Sequence, residues 1–163
     1  MRRVVRRAVS SRLAEVIVVV GRAASAVRKA LQDLEVQMVE NPRYRDGQSS
    51  SVKAGLAAVD REATAAMFMP IDQPRLSTAV IDDLIEVYGR TAAPIVVPTF
   101  RGRRGAPVVI DRCLFGELDA IEGDVGGRQI FAAHEETLVE LELESDDSLL
   151  DADTPADLEA LEP

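Results

Sequence analysis

Short runs of β-branched residues recur along this chain, and segments of about ten residues with helical periodicity separate them. Glu15–Val20, Leu34–Val39, Ala65–Met69, Pro94–Val97 and Pro107–Ile110 read as strands. Arg3–Leu13, Ala23–Leu31, Ser51–Arg61, Ser77–Gly89 and Asp111–Ile121 read as helices. A strand that returns parallel to its predecessor needs a long connection across one face of the sheet, usually a helix. The alternation therefore predicts an α/β fold of three layers around a mostly parallel sheet. Ala65–Met69 carries no charge and ends at Pro70, which predicts a central strand buried on both faces.

The length of 163 residues suits one domain spanning 1–163, with no linker or repeat to divide it. The longest apolar run, Val16–Val20, falls far short of the roughly 20 residues a membrane helix needs. One Cys and one His exclude a disulfide framework and a structural zinc site, and fit a reduced, cytoplasmic setting. Nineteen Lys and Arg stand against 28 Asp and Glu, for a net charge of −9. That balance argues against nucleic acid as a partner, which asks for a basic face. The charge is polarised, with Arg2, Arg3, Arg6, Arg7 and Arg12 crowding the start and no Lys or Arg after His134. Val4, Val5, Ala8 and Leu13 give the basic stretch an apolar stripe, so its arginines are expected on a solvated helix face. The acidic end contains the alternating Thr137–Leu143 and a helix-like Thr154–Leu161, so it is expected to be folded.

Ligands of open α/β sheets sit beyond the carboxyl ends of the strands. That rule selects the loops after Val39, Met69 and Val97. Pro70-Ile71-Asp72-Gln73-Pro74 is a stiff turn presenting a carboxylate that can hold Mg²⁺, or that can hydrogen-bond its own turn. Leu150–Asp157 offers Asp151 and Asp153 as partner carboxylates, although Asp153, Thr154 and Asp157 also serve as helix-start residues. Gly47-Gln48-Ser49-Ser50-Ser51 opens a helix with small residues, suited to an anion or to simple capping by Ser49 or Ser50. Gly102-Arg103-Arg104-Gly105 places two guanidiniums in a turn, where they can grip a phosphate or remain solvated. Gly123–Arg128 is a third Gly-rich turn with an arginine. Cys113 is expected to be buried and unreactive, and His134 has no nucleophile at a suggestive spacing.

In this order the segments resemble the MobA-like nucleotidyltransferases, nearest the molybdenum cofactor cytidylyltransferase branch. The resemblance is carried by Val16–Gly21, Asn41-Pro42 with Gly47–Ser51 and Gly55-Leu56, and Pro70–Pro74. It continues through Gly102–Gly105 with Pro107, Gly123-Asp124 with Gly126 and Arg128, and Asp151–Leu158. It implies a Rossmann-like nucleotidyltransferase fold that moves CMP from CTP to the phosphate of a molybdopterin acceptor and releases pyrophosphate. It further implies Mg²⁺ held by Asp72 and Asp153, which would be the catalytic carboxylates. Gly47, Ser49, Ser50 and Asp72 would meet the nucleotide, and Arg103, Arg104 and Arg128 the acceptor. A molybdenum enzyme would receive the product.

Two departures accompany the resemblance. The chain begins at the helix that follows the family's first strand and Gly-rich phosphate loop, and Ala106 stands where cytidylyltransferase relatives carry His. The expectation is a fold lacking that strand, with weak or no activity. A wrong start codon, a degraded gene and a binding protein that has lost catalysis are the competing explanations. The rival functions are a non-catalytic molybdenum cofactor-binding or maturation protein, and a nucleotidyltransferase with another phosphorylated acceptor.

Overall fold

The structure is a computed structural model that describes residues 1–123 and 130–150. Its elements run α1 (Arg2–Val9), β1 (Ile17–Val20), α2 (Ala24–Ala30), β2 (Gln37–Glu40), α3 (Gln48–Leu56) and β3 (Ala65–Phe68). They continue with α4 (Thr78–Thr91), β4 (Ile95–Phe100), β5 (Arg103–Arg104), β6 (Val108–Asp111), α5 (Phe115–Ala120) and β7 (Val139–Glu142). No helix among the described residues is long and apolar enough to cross a membrane.

Ile95, Val96 and Val97 of β4 are fully buried, and the pleat sends them to alternate faces. Ile95 and Val97 pack with Val108, Ile110, Leu114, Leu118 and Phe131 on the α5 side. Val96 packs with Leu84 and Val87 of α4 on the other. The strand buried on both faces is therefore β4, and the corresponding expectation for Ala65–Met69 is corrected. β3 is only half-buried because it ends its sheet and pairs with β6 alone among the described residues.

The α/β layering is as expected, but the strand sense is mixed. β1 and β2 pair parallel, from Ile17 opposite Gln37 to Val20 opposite Glu40, and β4 pairs parallel with β7. β6 runs antiparallel between β3 and β4, and β5 runs antiparallel to β4. The reason is length. The link from Phe100 to Val108 is shorter than the dozen or so residues a parallel crossover needs, so the strand must turn back.

The two sheets share their covering helices. On one face α1 sends Val5 to Val18 and Val20 of β1, and Val4 to Leu76, Ile81 and the methionines Met67 and Met69 beside β3. On the other, α3 places Val52 and Leu56 against the β4 core while Gly55 lies beside Val19 of β1. The N-terminal arginines are ties more than a solvated face. Arg2 forks onto Asp33 at 2.6 and 2.5 Å, Arg7 donates to the carbonyls of Arg75 and Leu76, and the Arg12 amide donates to Asp82 at 2.8 Å.

Two further local expectations change. Asp111–Ile121 is not one helix: Asp111 ends β6 and its carboxylate accepts the Cys113 amide at 2.8 Å, starting a 3₁₀ turn before α5. That turn leaves Cys113 exposed rather than buried. By contrast Ser77 caps α4 as expected, accepting from the Val80 amide at 3.2 Å.

Ile95→Ala is expected to lower the unfolding free energy by about 2–5 kcal/mol in denaturant titration, as a fully buried aliphatic does. Cys113→Ser should change it by no more than about 0.5 kcal/mol, as an exposed site does. The Asp33 carboxyl is held at about 2, chiefly by hydrogen bonding from Arg2, against an ordinary 3.8. A depressed carboxyl contributes above its unfolded value and loses that contribution as pH falls. The stability gap between wild type and Asp33→Asn should therefore be flat above pH 3.8 and close as pH approaches 2.

Candidate functional site

After β2 the chain turns through Asn41, a buried side chain in a polar loop. Its amide nitrogen donates to the Ser50 and Ser51 hydroxyls at 2.9 and 3.1 Å, and its oxygen accepts the Arg43 amide at 2.9 Å. Ser50 in turn donates towards the carbonyls of Arg43 and Gly47, at 2.9 and 2.8 Å. Gly47 has φ of 101° and is the N-cap of α3. The helix therefore starts at Gln48, and neither Ser49 nor Ser50 is the cap. Ser49 is buried, with its amide donating to the Gly123 carbonyl at 3.3 Å. Tyr44, Arg45, Asp46, Gly47, Gln48 and Ser51 line an open cavity of about 460 Å³ at this helix start. Arg45 lies over the Tyr44 ring at 5.7 Å. Tyr44 fits only because residue 21 is Gly: a Cβ there would come within 2.7 Å of Tyr44.

Gly47, Ser49 and Ser50 are thus gathered at one place, but the Ser50 hydroxyl is occupied in shaping the loop. Sequence reasoning gave no role to Asn41 or Tyr44. A polar residue directly after a strand and before Pro42 was the available signal.

The loop after β3 presents Asp72, which is exposed, on a turn whose neighbours Gln73 and Pro74 are buried. Among the described residues Asp72 has no hydrogen-bonding or ionic partner, so it does not close its own turn. The C-terminal arm approaches this loop: Arg75 pairs with Asp147 at 2.9 Å, and the Ser148 hydroxyl donates to the Arg75 carbonyl at 3.4 Å. One residue on, Leu149 packs onto Gly105, where an added Cβ would meet it at 2.6 Å. The arm therefore bridges the Asp72 loop and the basic turn. Asp151, Asp153 and Arg128 lie outside the described residues. Among the described residues no three His, Cys, Asp or Glu side chains cluster as a metal site. Asp72 offers an exposed carboxylate without a partner among the described residues.

In the basic turn the two arginines part ways, because successive residues of an extended strand point to opposite faces. Arg104 reaches β7, donating to Glu135 at 2.6 and 2.7 Å and to Glu140 at 2.7 Å. Those carboxylates push its ionisation further up, and Arg104 holds the Glu135 carboxyl below its usual range. Arg103 is exposed and has no partner among the described residues. His134, given no role, bonds through Nε2 to both oxygens of Glu117 at 3.1 and 2.9 Å.

Asn41→Ala should cost about 1–3 kcal/mol in denaturant titration, because it removes the buried side chain that ties the half-buried Ser50 and Ser51 hydroxyls to the Arg43 amide. Asp72→Asn, which breaks no contact, should stay within about 0.5 kcal/mol of wild type.

The profile of the MobA-like NTP transferase domain matches residues 1–138. Among solved structures, Rv0371c of Mycobacterium tuberculosis in complex with manganese is 30% identical, with a TM-score of 0.78 over 99% of this chain and 86% of its own. A second structure of that protein, 28% identical, gives a TM-score of 0.83 over 99% of this chain and 82% of its own. A nucleotidyl transferase from Methanothermobacter thermautotroptrophicus is 20% identical and shares the fold, with a TM-score of 0.78 over 97% of this chain and 78% of its own. No curated protein sequence matches significantly. The chain belongs to the MobA-like NTP transferase domain family and is a nucleotidyltransferase.

Proposed function

We propose that this chain transfers CMP from CTP to the terminal phosphate of a molybdopterin-type acceptor, with release of pyrophosphate. The observation that carries the reading is the bridge made by Asp147–Leu149. It joins the loop of Asp72 to the turn of Arg103, both at the carboxyl end of β3 and β4 and both without a partner among the described residues. The cytidine donor and the molybdopterin acceptor rest on the sequence resemblance to the cytidylyltransferase branch.

The nucleotide base and ribose occupy the cavity beside Gly47, with Asn41 and Ser50 holding its wall and Ser49 fixing the helix start behind it. Asp72 suits Mg²⁺, since this ion keeps water and phosphate oxygens and asks for one or two protein carboxylates. Asp153 is the second carboxylate in this proposal. When bound, the ion offsets charge on the triphosphate. Arg103, with Arg128, draws the phosphorylated acceptor into place. An acceptor phosphate oxygen attacks the α-phosphorus, the bond to the β-phosphate oxygen breaks, and pyrophosphate departs. The protein's contribution is positioning and fixed charge.

Thermal unfolding of the chain with Mg²⁺ and CTP, GTP or ATP tests the nucleotide half. CTP at 100 times its Kd should stabilise the fold by about 2.7 kcal/mol, a clear rise in Tm, with GTP and ATP well behind. Asp72→Asn should lose the Mg²⁺-dependent part of that rise. Equal rises with all three nucleotides would reject CTP as the donor, and no rise would reject the site. Pyrophosphate release from CTP only when molybdopterin is supplied is the expected result for the acceptor half.

A further inference from the structure

The basic turn between β4 and β6 is not free to choose its shape. Arg101 has φ of 50° and Gly102 φ of 75°, two consecutive residues in the left-handed region. Glycine adopts it readily, whereas an arginine with its Cβ needs something to hold it there. Glu142, the last residue of β7, supplies the hold. Its Oε1 accepts the Arg101 backbone amide at 2.8 Å, and its Oε2 accepts the Thr99 hydroxyl at 2.8 Å. Thr99 is fully buried, and its carbonyl accepts the Leu143 amide at 2.8 Å. The carboxylate is thus fixed at one oxygen to the buried strand β4 and at the other to the turn that follows it. The far end of the turn closes by the Gly105 amide donating to the Pro98 carbonyl at 2.9 Å.

Arg104 completes the frame. Its bonds to Glu135 and Glu140 cross from β5 to the segment of β7. Because Arg103 and Arg104 alternate along a two-residue strand, tying one down to the acids aims the other away from them. Arg101 is held as well, over the Phe100 ring at 4.9 Å. The result is a turn that keeps Arg103 clear of three nearby carboxylates.

We propose that Glu142 is a positioning residue: by fixing the left-handed Arg101 backbone, it holds the turn in the shape that presents Arg103 to a phosphate-bearing acceptor, while Arg104 serves as a strut. The proposal deepens the acceptor reading above and rests on it. Of the acids after His134, Glu135, Glu140 and Glu142 then have a definite task, as the counter-charge and scaffold of the acceptor turn. The Glu142 carboxyl is held below its usual range, chiefly by the Arg101 amide, and so stays ionised at neutral pH.

The test is an amide NMR titration of the full chain with inorganic pyrophosphate, following residues 101–105. In wild type these signals should shift saturably. Glu142→Ala should weaken pyrophosphate by about tenfold or more, with Tm and the amides of Ile95 and Val96 little changed. Glu142→Gln keeps an oxygen for the Arg101 amide and should recover to within about threefold of wild type. Thr99→Val preserves the buried shape but frees one carboxylate oxygen, and should weaken binding by about threefold or more. The proposal is overturned if wild type shows no turn response, if Glu142→Ala binds like wild type, or if Glu142→Gln binds no better than Glu142→Ala. It is also overturned if Thr99→Val binds like wild type. A parallel titration with Mg²⁺ and CTP, following Gln48–Ser51, separates the two readings. A response there with a silent turn removes the role of Glu142 and leaves the nucleotide site. A responsive turn with a silent α3 removes the proposed CTP site at α3 and leaves Glu142 in place.

Discussion

Three consecutive aliphatic residues with no exposed surface, Ile95, Val96 and Val97, are the constraint on which the rest depends. Burial on both faces forces a helical layer on each side, α5 with one and α4 with the other. It also demands that the backbone of β4 be paired, which β6, β5 and β7 do between them. The strand stops being apolar at Thr99, still fully buried but now answered by the Glu142 carboxylate. The transition from core to surface happens within a few residues, and the basic turn is anchored to a strand buried on both faces.

Electrostatics act here as long-range fasteners. Solitary surface ion pairs contribute little to stability. Several in this chain join elements distant in sequence: Arg2 to Asp33, Arg75 to Asp147, and Arg104 to Glu135 and Glu140. Their value is registration. The arginine-rich start and the acid-rich end look like two separate peculiarities of composition, yet Arg2 and Arg7 of the one and Glu135, Glu140 and Asp147 of the other are spent on ties to distant segments. What is left over at the sheet edge is small and specific, with Asp72 and Arg103 the groups that structure does not consume.

Much of the element order was legible in the sequence, because hydrophobic period and local signals suffice for it. Ser77 is an example: a cap acts over three residues, so its role is readable nearby. Cys113 was misplaced for the same reason. Its apolar neighbours suggested a helix core, whereas the turn that exposes it is set by Asp111, two residues back and still part of β6. The central strand was misassigned because Ala65–Met69 and Ile95–Val97 are equally apolar, and only the order of the sheet tells an end from a middle. The site was readable as residue types and loop positions. The division of labour between Arg103 and Arg104 was not, since it depends on which acid thirty or more residues away stands opposite each. The same holds for Ser50, whose hydroxyl is claimed by the buried Asn41, nine residues back across the loop.

No backbone ladder joins the β1–β2 sheet to the five-stranded sheet among the described residues; they are spanned mainly by side chains of α1 and α3. Hydrogen-bonded ladders enforce all-or-none opening, whereas packed side chains permit partial opening at lower free energy. The smaller unit, β1 and β2 with the loop that leads into α3, should therefore exchange its amide hydrogens through a shallower local opening than β4 and β6. Under the proposed assignment, a cavity wall in the looser unit and a basic turn in the stiffer one would grip the two substrates differently: the donor side would adapt around its guest, and the acceptor side would set the geometry it must adapt to.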